Sequence, residues 1–176
     1  MEQIERINLE TLKELIKGYD AESLDERAER YSFLLSLENS YENTMFHGKI
    51  SHFAFEAAGS AYINAKFIGS VVLAQMVIDQ SLNQMFLASD INSSQWNFPK
   101  LLQEAEKKQW ITKEEHESFN ILKDIRNPYV HYKKPLHKNG LMQRMIDTGE
   151  NEYEALEKDA QFAIEAMYKI VNKFTF

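Results

Sequence analysis

The segment Phe67-Ile68-Gly69-Ser70-Val71-Val72-Leu73-Ala74-Gln75-Met76-Val77-Ile78-Asp79-Gln80-Ser81-Leu82 decides the fold class. Its apolar residues keep helical spacing but cover most sides of the helix, and the pattern extends back through Phe53, Phe55 and Ile63 and forward through Met85 and Phe86. A helix apolar nearly all round has to be buried, so residues 50–88 belong at the centre of a helical bundle. They form one long helix or two, broken near Gly59 or Gly69. The run Ala57-Ala58-Gly59-Ser60-Ala61 permits close helix approach and need mean no more than tight packing. Lys66 and Asp79 flank the most apolar stretch, which is too short to span a bilayer.

Outward from that centre the chain stays helical. Ile4, Ile7, Leu12, Leu15 and Ile16 recur near helical spacing, with Gly18 as a plausible stop. A second amphipathic helix follows Ser23 and carries Leu24, Ala28, Tyr31, Leu34, Leu35 and Leu37, with acids from Glu22 to Glu29 near its start. Pro99 suits the first turn of a short helix bearing Leu101, Leu102 and Ala105. Thr112 and Glu115 make a capping box for a helix with Phe119, Leu122 and Ile125 on one face. Lys138-Asn139-Gly140 is a turn, and a last helix over residues 153–174 aligns Leu156, Ala160, Ala163, Ile164, Met167, Ile170 and Val171.

With 176 residues, 44% hydrophobic, eleven Phe, eight Tyr, two Trp and only six Gly and three Pro, the expectation is one all-α globular domain. No repeat or linker divides it. The absence of Cys excludes disulfides, thiolate metal sites and cysteine nucleophiles. The charged start Met-Glu-Gln-Ile-Glu-Arg-Ile lacks a signal-peptide core, so a soluble cytoplasmic protein without membrane association is expected. The net charge of −7 argues against a nucleic-acid partner until its distribution is read. Residues 123–144 hold six basic residues (Lys123, Arg126, Lys133, Lys134, Lys138 and Arg144), two His (His131 and His137) and one acid, Asp124. Such a patch on an acidic body can meet a phosphate backbone, although a solvated basic loop has the same composition.

The chemistry-bearing stretch is Arg126-Asn127-Pro128-Tyr129-Val130-His131. Asn127-Pro128 is expected to cap and open a fresh helix, whose free backbone N–H groups would attract an anion. Arg126 would clamp a phosphate with its planar fork. His131, one turn on, would be held neutral as a general base, and Lys133 and Lys134 would extend the positive field. The competing bland reading is a capped surface turn, since an Arg and a His five residues apart are common by chance.

Arg126-Asn127-Pro128-Tyr129-Val130-His131 resembles the signature of catalytic HEPN domains, helical bundles found in bacterial toxin, abortive-infection and RNA-processing systems. The surrounding runs Leu101-Leu102-Gln103-Glu104-Ala105, Trp110-Ile111-Thr112-Lys113-Glu114-Glu115 and Ile121-Leu122-Lys123-Asp124-Ile125 are similar to one branch of that family, as is Val72–Leu82 with its embedded acid. The likeness covers residues 50–174, so residues 1–45 form an N-terminal helical addition to a HEPN-like core at 46–176. The resemblance implies that Arg126 and His131 are catalytic, Asn127 orients them, and Asp79 is a supporting acid. Lys123, Tyr132, Lys133 and Lys134 are the candidate RNA contacts. It also implies a homodimer with two motifs facing across the two-fold, which suits transesterification because one motif offers a single His. A cognate antitoxin or regulatory protein is a possible further partner. In toxins silenced by a partner nucleotidyltransferase a Tyr stands two residues after the His; here that position is Lys133, which puts such regulation in doubt.

No cofactor or metal is expected. The chain has no His-Glu-x-x-His or Glu-x-x-His pattern, and His47 and His52 diverge on a helix and suit packing or the surface. Three functions compete: a metal-independent HEPN endoribonuclease using 2′-OH attack, a non-catalytic HEPN-like module binding nucleotide, RNA or a protein, and a helical interaction protein whose basic turn is incidental. The first needs Arg126 and His131, the second only the patch, the third neither.

Overall fold

The computed structural model describes residues 8–37, 49–134 and 136–174, the last of them for its backbone. Ile4, Ile7 and His47, for which the sequence suggested roles, lie outside the described residues. The helices are α1 (Leu9–Glu22), α2 (Leu24–Leu37), α3 (Lys49–Ile63), α4 (Phe67–Ala88), α5 (Phe98–Lys107), α6 (Lys113–Val130), α7 (Leu141–Thr148) and α8 (Glu152–Val171), followed by a 3₁₀ turn at Asn172–Phe174. Among the described residues there is no strand, and the chain is an all-α helical bundle. No described helix is long and apolar enough to cross a membrane.

The deciding segment is the hub. On α4, Val71, Ala74, Val77, Ile78, Leu82 and Phe86 are fully buried, as are Ala163, Ile164, Met167 and Ile170 on α8, which packs on α4. Both α3 and α6 pack on α4 and α8, α5 bridges α4 and α6, α2 lies on α3, and α7 lies on α8. Each fully buried Leu, Ile or Phe contributes roughly 1.5–3 kcal/mol relative to exposure. The central α4–α8 pair therefore holds the bundle together.

Local sequence sets the ends. The Thr112–Glu115 capping box forms at α6, and Asn151 with Glu154 makes a second one at α8. Asn97 caps α5 through a bond from Lys100 N at 3.0 Å, with Pro99 in the first turn. The break between α3 and α4 falls at neither glycine. It lies at Asn64-Ala65-Lys66, where Ala65 takes a left-handed φ of 54° and Lys66 N donates to Ala61 O at 2.8 Å. Gly59 and Gly69 stay helical; a Cβ on Gly59 would make van der Waals contact with Leu34 Cδ1 at 3.4 Å, where α2 lies on α3. Likewise α1 runs through Gly18 and ends at Ser23, where the chain turns directly into α2. α1 buries none of its residues.

Candidate functional site

The expectation of a new helix at Asn127-Pro128 is corrected by the structure. α6 continues through Pro128 to Val130, and His131 is its C-terminal cap in extended conformation, with its N–H on Asn127 O at 3.0 Å. Proline normally breaks a helix because it lacks an N–H and crowds the preceding turn. Here the disruption falls in the last turn, where packing outweighs it. Phe119 and Leu122 are buried on the inner face of α6, Ile125 and Tyr129 pack against the core, and the Tyr129 hydroxyl donates to Asp159 of α8. The motif thus stands at the negative end of a helix dipole, and no backbone N–H cradle serves a phosphate there. Attraction of an anion has to come from side chains.

Arg126 supplies one. It is half-buried, one turn from the end of α6, and faces a cavity of about 450 Å³ between α4, α6 and the start of α5. Val72, Gln75, Met76, Asp79, Trp96, Asn97 and Phe98 complete the lining. Arg126 Nε is buried and has no hydrogen-bond partner among the described residues, and the same holds for Gln75 Oε1. A buried polar atom left unpaired costs about 1–3 kcal/mol, and both atoms lie beneath the lining, closed to solvent. Asp79 makes no ion pair with Arg126 or with any other described cation. Burial pushes its carboxyl above the usual carboxylate range, and the charge of Arg126 only partly opposes that.

His131 lies elsewhere. It is exposed and is not part of the lining of the Arg126 cavity. Five residues of helix separate the two side chains by about 140° around the axis, so one copy does not direct both into a single pocket. Asn127 is half-buried between them, with its carbonyl used by the cap. Beyond the cap, Tyr132 is 90% exposed, and Lys133 and Lys134 are exposed without an ion pair among the described residues. Lys123 is half-buried, 3.5 Å from both Asp124 and Asn120. Pro135 lies outside the described residues.

Not every basic residue of the patch is available. Arg144, on α7, grips Asp159 with two bonds of 2.5 and 2.6 Å and donates to the Tyr129 hydroxyl at 3.1 Å. The bonds to Asp159 raise the guanidinium pKa further, while burial and then Asp159 raise the Tyr129 phenol. Asp159 is 5% exposed, so this triad is a buried lock tying α6 and α7 to α8. It orients the end of α6, and with it the motif. The helix α7 was not anticipated from sequence. Its signals were present in Leu141 and Met145 one turn apart, and in Gly149, which takes φ 75° just past the end.

Gln75, Trp96 and Phe98 were also missed. The first was legible, because Gln75 and Asp79 are one turn apart on an otherwise apolar helix; the aromatics reach the cavity only through the tertiary fold. Among the described residues no three His, Asp or Glu side chains are grouped as metal ligands. Comparison with protein-family models, curated proteins and solved structures returns no match.

Proposed function

We propose that the chain is a metal-independent endoribonuclease of HEPN type, acting as a homodimer in the cytoplasm, of a defence or toxin kind. The observation that carries this reading is the half-buried Arg126, without an ion pair or side-chain hydrogen bond among the described residues and lining the Asp79 cavity, near the end of the helix from which His131, Tyr132, Lys133 and Lys134 emerge. Arg126 binds the phosphoryl oxygens and stabilises charge that develops on them. The His131 side chain, exposed and without a hydrogen bond or ion pair among the described residues, removes the 2′-OH proton or protonates the leaving 5′-oxygen. Lys133 and Lys134 attract the backbone, and Tyr132 offers a face for a base to stack on.

The outward placement of His131 favours a site shared by two copies. The partner's motif would then supply a His across the phosphate from Arg126, with one imidazole as base and the other as acid. Exposed Val130 within the motif, with Ile121, Leu136, Met142 and Ile146 on either side of it along the chain, gives it apolar surface to bury. A cognate antitoxin or regulatory protein would compete for that surface. The same separation of His131 from the cavity supports a second reading, a module that binds RNA or a nucleotide without cutting it. End analysis of an incubated oligoribonucleotide in EDTA tests the proposal. A 2′,3′-cyclic phosphate end is expected, and intact RNA with retained binding leaves the second reading.

A further inference from the structure

We propose that α1 is a pairing arm, whose apolar stripe meets the same stripe of a second copy of this chain in an antiparallel helix pair. Arm pairing is independent of the ribonuclease reading and uses no residue of the motif. The arm is held at its base. At Ser23 the backbone takes φ −95° and ψ 1°, the Ser23 N–H donates to Tyr19 O at 3.2 Å, and Arg27 N donates to Ser23 O at 3.0 Å. Arg27 Nη2 adds a bond to Asp20 O at 2.8 Å. Beyond this joint α1 packs appreciably on no described helix but α2, and none of its residues is buried. Leu9, Leu12, Leu15, Ile16 and Tyr19 are 41–69% exposed. At about 100° per residue they form one stripe roughly 120° wide, and the pairs Glu10–Lys13 and Glu14–Lys17 lie off it. The same three-and-four spacing runs on through the joint to Arg30, Leu34 and Leu37. There α3 covers it, with Arg30 donating to Ile63 O and Leu34 beside Gly59. The α1 half of the stripe has no such cover. A lone helix of this length is marginal in water, so the stripe is a surface shaped for a partner.

The stripe complements itself. In an antiparallel register with Ile16 on the two-fold, Leu12 meets Tyr19 of the second copy, and the two Leu15 side chains lie near one another along one edge. On the other edge stand Lys13 and Asp20, now held by Glu10 and Arg27. The register brings Lys13 within a turn of Asp20 of the second copy, so the flanking charges are opposite, and the two-fold makes the pair twice. Antiparallel arms put the two bundles at opposite ends, whereas parallel arms about 8–10 Å apart would press them together. The area also suits two copies. At roughly 150–250 Å² for a large side chain, the exposed part of the five residues comes to about 500 Å² per copy. Pairing then removes about 1,000 Å² from water, which reaches the lower bound of a specific interface and stays below an obligate one. The arms therefore associate reversibly.

The chain has no Cys, so a single introduced Cys reports the pairing. At about 100 μM under mild oxidation, Ile16→Cys should give mainly disulfide-linked pairs because its sulfurs meet at the two-fold; Glu14→Cys, on the far side of α1, should stay mostly single. Sedimentation equilibrium of the full chain from about 5 to 500 μM should show the mass double, counted from whatever species is present at the lowest concentration. Ile16→Glu should abolish the doubling and keep the helical circular-dichroism signal, since the side chain is exposed. A mass that does not change with concentration overturns the pairing and leaves the stripe to a partner of another kind. Doubling that survives Ile16→Glu, or equal cross-linking of the two Cys variants, overturns it as well. RNA cleavage enters none of these readouts, so the arm and the ribonuclease stand or fall separately.

Discussion

Asp79 on α4 and Arg126 on α6 face one cavity without forming an ion pair. An acid and a base placed that way cost folding energy, because each is partly dehydrated and the charge of Arg126 offsets only part of the burial cost of Asp79.

That cost has a pH signature. The folded-state pKa of Asp79 lies above its unfolded value, so the folded protein holds the proton more tightly. Stability therefore falls as pH rises through the interval between the two values, and the penalty persists above it. Asp79→Asn should stabilise the protein at pH 7, and the gain should vanish as pH drops below about 4, near the ordinary carboxylate value. Chemical denaturation of both proteins across that range checks the sign. An Asn variant less stable at pH 7 would mean that Asp79 is satisfied structurally.

The lock on α8 behaves oppositely. Asp159→Ala leaves the Arg144 guanidinium and the Tyr129 hydroxyl without their acceptor in a half-buried setting. A loss of about 3 kcal/mol is expected, with α7 detaching before the core melts. Hydrogen exchange should report faster exchange in Leu141–Thr148 while Val71 to Phe86 stays protected.

Lys133→Ala with Lys134→Ala should leave the melting temperature nearly unchanged, since both side chains are exposed. RNA affinity should fall. The slope of log affinity against log salt should flatten by roughly 0.7 for each phosphate of a single strand that is no longer neutralised. An unchanged slope would move the RNA to another face.

Assembly is tested independently. Light scattering at micromolar concentration should give twice the mass of one chain, and an obligate dimer should bury more than about 2,000 Å² in total. A monomeric mass removes the shared site, because one copy does not turn Arg126 and His131 into the same cavity.

Much of the fold was legible in the sequence because its signals are local. The apolar periodicity of α4 and α8 and the cap at Thr112 each act within a few residues. The end of α6 was misread for a tertiary reason: Asn127-Pro128 is a good helix start in isolation, but Tyr129 is anchored by an aspartate thirty residues away. The break after α3 was displaced from two glycines to Ala65, a position that no propensity marks. The site was half visible. Arg126, His131 and Asp79 stand out by type and spacing, whereas Trp96, Phe98 and the occupied state of Arg144 depend on which helices meet.

The most direct measurement is cleavage of an oligoribonucleotide in EDTA by the wild type, His131→Ala and Arg126→Ala. Each substitution should lower the rate by about 10² to 10⁴. The double variant should be little worse than either, because both groups act on one transition state. His131→Ala should keep the wild-type melting temperature, since the side chain is exposed. Replacing the scissile 2′-OH with hydrogen should stop the reaction in every protein. Undiminished cleavage by His131→Ala, or cleavage of the 2′-deoxy substrate, would contradict the account.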